Sequence, residues 1–280
     1  MTKLRADHYF AIGAAHLSSG KPCQDHALSE FSTGRAFAVV ADGCSSGGHT
    51  DVGARIITLA TMQAMRDSTK MTSIGAITDA QHRLLRATRF FLGLNKSDML
   101  ATCAYACIKA EEGGVVHVQG DGAFAIKFRT GAISAVRVEW SNNTPFYPAY
   151  VVNGDEGAFC DVHGGTAALC FTVESAGFFA GAWGESLIRK YSVKDGLQGH
   201  LLRILPSALQ YIELIAVFSD GVSQVDGMTW KEVVLDFLAM KNTNGDFVKR
   251  RLIRGIRDMK TKGKGPIDDV SAAMIYLEEE

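Results

Sequence analysis

Five aspartates stand where strand-like apolar runs begin or stop. Asp42 ends "AFAVVA", Asp121 follows "VVHVQG", Asp220 follows "LIAVFS", Asp25 precedes "ALSEF", and Asp268 precedes "VSAAMIYL" across Asp269. Three of them are followed by glycine, in "ADGC", "GDGA" and "SDGV". A single Asp-Gly pair is more often a turn than a site, because both residues accept turn backbone. The set reads differently. Strand ends on one edge of a sandwich can converge, and converging carboxylates repel one another unless cations compensate. Oxygen donors without His or Cys pairs suit Mg²⁺ or Mn²⁺ rather than Zn²⁺.

The elements that must position these acids follow from periodicity. Residues 8–17 predict a strand, and "ALSEF" and "AFAVVA" flank "STGR" as a hairpin. Apolar residues recur at helical spacing from Thr50 to about Asp67 and from Ser73 to about Leu94, with Ile74, Ile77, Leu84 and Phe91 on one face. A meander follows, from "LATCAYACIKA" through "VVHVQ" and "AFAIKF" to "ISAVRVEW". Residues 141–166 show no period and predict an irregular loop or flap. "AALCFTV" and "ELIAVFS" predict strands, 229–241 and 245–260 helices, and "VSAAMIYL" a closing strand. Such segregated runs predict an α+β protein, a single domain over residues 1–280.

Composition narrows the class. With 29 basic and 30 acidic residues, the chain has a net charge of −1, so general attraction to nucleic acid or an anionic membrane is not expected. The six cysteines, Cys23, Cys44, Cys103, Cys107, Cys160 and Cys170, form no CxxC pair and predict free thiols. The polar opening "MTKLRADHYF" has no signal-peptide core, and no apolar run is long enough to span a bilayer, so a cytoplasmic location is expected. "CDVH" at 160–163 is half a zinc pattern without a second half. The eight basic residues between Lys249 and Lys264 accompany an apolar stripe of Phe247, Leu252, Ile256 and Met259, which predicts a surface helix with a solvated face.

Five motifs together, "SSGKPCQDH", "VADGCSSGGHTDVGA", "VQGDGA", "FSDGVS" and "IDDVSAAMIYL", resemble those of the type 2C metal-dependent protein phosphatases in order and approximate spacing. The resemblance is to the small bacterial branch and runs from about residue 10 to residue 277. It implies an α-β-β-α sandwich, two antiparallel sheets with helices on both outer faces. It also implies two Mg²⁺ or Mn²⁺ ions in a cleft at one end, where a metal-activated water attacks phosphoserine or phosphothreonine of a phosphorylated protein in signalling. By motif, Asp42 would bridge the ions, the Gly43 carbonyl would hold one, and Asp220 and Asp268 the other. Asp25 would support the site directly or through waters, and Asp121 matches the acid that holds a third, weaker ion. The chemistry suits these residue types. Two ions about 3.5–4 Å apart acidify a shared water and offset phosphoryl charge, so no protein nucleophile is required.

The pattern also breaks. The histidine that follows "DG" in well-studied members, thought to protonate the leaving group, is Cys44 here; His49, five residues on, is the candidate in its stead. The phosphate-gripping arginine five residues before Asp25 is Gly20, with Lys21 the nearest cation. Lysine would bind as a point charge without the arginine fork. The further acid four residues after Asp220 is Gln224. These losses leave an alternative: a weak or inactive phosphatase-like module that binds phosphorylated partners.

Overall fold

The hairpin around "STGR" forms as two eight-residue strands, β2 (Asp25–Ser32) and β3 (Arg35–Asp42). β3 is buried continuously from Ala36 to Ala41, because its small and β-branched residues pack on both faces. The computed structural model describes residues 3–68, 74–162, 165, 169–192 and 199–278. His163 and residues 193–198 lie outside them.

Two antiparallel sheets are stacked. The larger runs in the order β1 (Lys3–Ala11), β13 (Val270–Glu278), β12 (Ile212–Phe218), β6 (Gly122–Phe128), β7 (Ile133–Trp140), β8 (Leu169–Phe179) and β10 (Leu187–Ser192), with the short β9 (Ala182–Trp183) paired to β8. The smaller runs β11 (His200–Ile204), β5 (Gly113–Gln119), β4 (Cys103–Lys109), β3, β2. Helices α2 (Thr50–Asp67) and α3 (Ile74–Leu92) cover the smaller sheet, and α6 (Trp230–Leu238) and α7 (Phe247–Lys260) cover the larger.

Strand alternation sorts neighbouring residues into three apolar layers. Val40, Val217 and Ile275 fill the space between the sheets. Their neighbours Val39, Phe218 and Met274 face the helices instead, Val39 toward Ile57 and Ile77, the other two toward Phe237 and Leu252. Each fully buried aliphatic or aromatic side chain of this kind contributes about 1.5–3 kcal/mol. The expected α-β-β-α sandwich is therefore the fold. α7 shows the expected stripe, with Phe247, Leu252 and Met259 buried. Its first amides are capped from outside the helix: Asp7 Oδ2 on β1 accepts from Val248 N at 2.6 Å and Lys249 N at 3.2 Å.

Two expectations need correction. The strand expected over 8–17 stops at Ala11, and Ala14–Ser19 forms a short helix, α1, closed by Gly20 in the left-handed region. The stretch 141–166 is not an irregular loop throughout. It holds α4 (Pro148–Asn153) and α5 (Glu156–Val162), with Pro148 in the first turn of α4 and left-handed Gly154 after its end. Aromatic contacts fix it: Phe159 meets Phe146 edge-on at 5.0 Å between ring centroids, Tyr150 at 5.0 Å and Trp140 of β7 at 5.9 Å. Both helices are too short to show a period, which is why the spacing did not reveal them. Strands β9, β10 and β11 were also absent from the sequence reading.

α2 touches the segment before β4 through Gly53, where an added Cβ would lie 2.1 Å from the Asp98 carbonyl oxygen. In an unencumbered helix, Gly→Ala gains about 1 kcal/mol. Here Gly53→Ala should instead destabilise the protein by about 1–3 kcal/mol, the range for overpacking, read as a lower urea midpoint. An unchanged or higher midpoint would show that α2 does not rest on this segment.

Candidate metal centre

The strand order places the acids together. Asp25 opens β2 and Asp42 closes β3, and the hairpin register sets them directly opposite each other. Asp121 occupies the turn between β5 and β6, where Gly120 and Gly122 both have positive φ (88° and 142°), backbone that glycine takes without strain. Asp220 follows β12, and Asp268 stands two residues before β13. β6, β12 and β13 are neighbours in one sheet, and β2 and β3 form the edge of the other. The five acids meet at one end of the sandwich.

Their electrostatics report the crowding. Burial, followed by the charges of Asp220, Asp25 and Asp121, holds the Asp42 carboxyl well above the usual carboxylate range. Burial and then Asp220 raise Asp121, and burial and then Asp268 raise Asp220. Burial lifts Asp25 to about 7 against the hydrogen bond that Ser219 Oγ donates to its Oδ2 at 2.6 Å. Asp25 Oδ1 and Asp121 Oδ1 are buried oxygens that receive no hydrogen bond. A carboxylate left in this state costs several kcal/mol unless it is neutralised by a proton or a cation.

Neutral tethers hold the acids in place. Thr102 Oγ1 accepts from Asp42 N at 3.1 Å, and Thr102 N donates to the Asp42 carbonyl at 2.8 Å. Gln224 Nε2 donates to Asp220 Oδ2 at 2.8 Å. Gly43 lies against the start of α2, where a Cβ would stand 2.6 Å from the Thr50 carbonyl oxygen. Thr50 Oγ1 accepts from Gln24 Nε2 at 2.7 Å, tying the loop after Asp42 to the residue before Asp25. A cavity of about 340 Å³ opens beside the acids, lined by Asp121, Asp220, Arg137, Glu139, Trp140 and Gln224.

The other expected site residues are placed differently. His49 caps α2 as an exposed residue whose backbone N donates to Asp98 Oδ1 at 2.8 Å. Lys21 is exposed after α1, its N bonded to the His16 carbonyl at 3.0 Å. Neither side chain lines that cavity. Cys44 is half-buried, its Sγ 3.2 Å from Ser46 Oγ. Burial pushes its thiol up, but hydrogen bonds from Ser46, Tyr147 and the loop backbone outweigh that and leave it lowered. The sequence reading missed Ser219, Gln224 as a donor, Arg137 in the cavity wall, and the buried pair His16 and Asp269.

Residues 12–253 match the family model of protein phosphatase 2C. The chain belongs to the protein phosphatase 2C family. A search of curated proteins finds no match. Among solved structures, the serine/threonine phosphatase Stp1 from Staphylococcus aureus is similar at 14% identity and a TM-score of 0.59, covering 99% of this chain and 96% of that one. PppA, a regulatory component of the type VI secretion system in Pseudomonas aeruginosa, has 14% identity, a TM-score of 0.56 and 98% coverage of both chains. The catalytic domain of the serine/threonine phosphatase PstP, solved with two manganese ions, has 13% identity, a TM-score of 0.50 and full coverage of both. At these identities the likeness is one of fold, while the family match supports protein serine/threonine phosphatase activity in general. As a 2C phosphatase, the chain has Gln224 where an acid is common, and the amide donates to Asp220 instead of adding to the repulsion.

The raised acids predict a pH dependence. An Asp25 carboxyl with a folded pKa near 7 and an ordinary unfolded one binds more protons when folded, so its contribution to stability falls as pH rises between about 4 and 7. Four partly buried histidines, His8, His26, His82 and His200, have lowered pKa values and contribute in the opposite sense, so the difference from a variant isolates the effect. In chelator, Asp25→Asn should match the parent in stability near pH 4 and exceed it increasingly up to about pH 7. A difference that is flat with pH, measured by denaturant unfolding, would contradict the burial of a strained carboxyl.

Proposed function

We propose that this chain dephosphorylates phosphoserine and phosphothreonine in proteins at a centre of two Mg²⁺ or Mn²⁺ ions. The observation that carries the reading is the convergence of Asp42, Asp220 and Asp268 at one sandwich end, beside buried Asp25 and Asp121 oxygens that receive no hydrogen bond. The donor set fits hard divalent cations, because every converging group offers oxygen. Asp42 and the Gly43 carbonyl would hold one ion, Asp42, Asp220 and Asp268 the other, with Asp25 in support and Asp121 taking a weaker third. The catalytic domain of PstP, of the same fold, was solved with two manganese ions, which supports a two-cation centre here.

When bound, such ions supply an acidified water and offset the charge that develops on the phosphoryl oxygens. The chain's own residues prepare the place. Ser219, Gln224 and Thr102 fix Asp25, Asp220 and the Asp42 backbone without neutralising any carboxylate. The adjoining cavity, walled by Trp140 and Arg137, has room for the phosphorylated side chain of a protein substrate. No described helix is long and apolar enough to cross a membrane.

Asp42→Ala should lower Mn²⁺-dependent phosphate release from a phosphothreonine peptide by at least about a hundredfold, since loss of a mere outer partner already costs 10–100-fold in metal affinity or activity. Full activity in this variant, or undiminished activity of the parent in chelator, would overturn the reading. Peptide binding by the parent without phosphate release would turn it into a binding module.

A further inference from the structure

Asp268 and Asp269 are adjacent and differently placed: the Asp268 side chain keeps 30% of its surface exposed, that of Asp269 1%. The Asp269 carboxylate accepts three short hydrogen bonds. Gly13 N donates to Oδ1 at 2.7 Å, Gln24 N to Oδ2 at 2.6 Å, and His16 Nδ1 to Oδ2 at 2.8 Å, the ring proton being assigned to the nitrogen that faces the carboxylate. His16 is itself buried on α1. His16, Asp268 and Asp269 could be taken for a cation site of their own, since their ligand atoms lie within 4.8 Å of one another. The three N–H donors already occupy Asp269, and the His16 nitrogen that approaches it is a donor. The group is a hydrogen-bonded knot.

We propose that Asp269 and His16 are positioning residues that clamp Asp268 and Asp25 into ligand geometry. The inference rests on the two-cation reading above. Asp269 N donates to Asp268 Oδ1 at 2.8 Å, so the orientation of Asp268 and the anchoring of Asp269 are one unit. Gln24 N is fixed by the same carboxylate, and the next residue is Asp25, opposite Asp42 in the hairpin. One buried carboxylate thereby ties the start of β13 in one sheet to the start of β2 in the other. Repulsion among Asp25, Asp42, Asp220 and Asp268 acts to spread these segments, and charge-assisted bonds of this length oppose it. His16, reached only through α1, closes the clamp from the third side.

Calorimetric titration of Mn²⁺ into the metal-free full chain tests the clamp, with thermal unfolding in chelator run alongside. His16→Leu should lower Mn²⁺ affinity about 10–100-fold, the usual cost of removing an outer partner, while the metal-free protein still unfolds cooperatively. His16→Asn, whose amide nitrogen can take the place of Nδ1, should recover most of that loss. Asp269→Asn should weaken binding at least as much as His16→Leu; if it does not fold, the two His16 variants decide. At saturating Mn²⁺, His16→Leu should regain a kcat close to the parent's, with more cation needed for half-activation. Parental affinity in His16→Leu, or no recovery in His16→Asn, would overturn the clamp alone. Failure of the parent to bind Mn²⁺ would overturn the cation reading and the clamp with it.

Discussion

The burial and mutual repulsion of buried and half-buried aspartates at one end of the sandwich are the constraint around which the rest of the structure is arranged. Asp25, Asp42, Asp121 and Asp220 each have a raised pKa, and in each burial is the largest cause. Bringing such groups together is unfavourable in itself, so the free energy must come from elsewhere. Three apolar layers supply it, and they also fix the strand order that aligns the acid-bearing ends. Contacts at the acids orient without neutralising: a serine hydroxyl on Asp25, a glutamine amide on Asp220, a backbone amide on Asp268. The charge is left available for a cation.

The same separation explains what could be read from the sequence. Acids at strand ends and glycines after them are local features, so Asp42, Asp121 and Asp220 stood out before any fold was known. The β2–β3 hairpin and helices α2, α3, α6 and α7 were legible because apolar residues repeat over enough turns to show a period. α4 and α5 were not, since six or seven residues give no period and aromatic contacts between the two helices and to Trp140 stabilise them. His16 and Asp269 were illegible for another reason. Their importance lies in contacts across 253 residues of sequence, and nothing local distinguishes a buried carboxylate from an exposed one.

Apart from Gln224, which donates to Asp220, the departures from the family pattern lie outside the acid cluster. Cys44 takes the position of the family's proton-donating histidine and bonds to Ser46 within its own loop. Gly20 closes a short helix instead of presenting an arginine, and Lys21 and His49 remain exposed. Arg137 reaches the cavity beside the acids from β7, held by Glu174 at 3.1 Å and stacked over Trp230 at 5.8 Å. The cavity beside the acids takes one wall from β7 and the segment after it, through Arg137, Glu139, Trp140 and Asn143.

Anomalous scattering from a crystal soaked in Mn²⁺ addresses the central claim most directly. Two peaks bounded by Asp42, the Gly43 carbonyl, Asp220 and Asp268 are the predicted result. Strong peaks elsewhere on the molecule, with none among these groups, would contradict it.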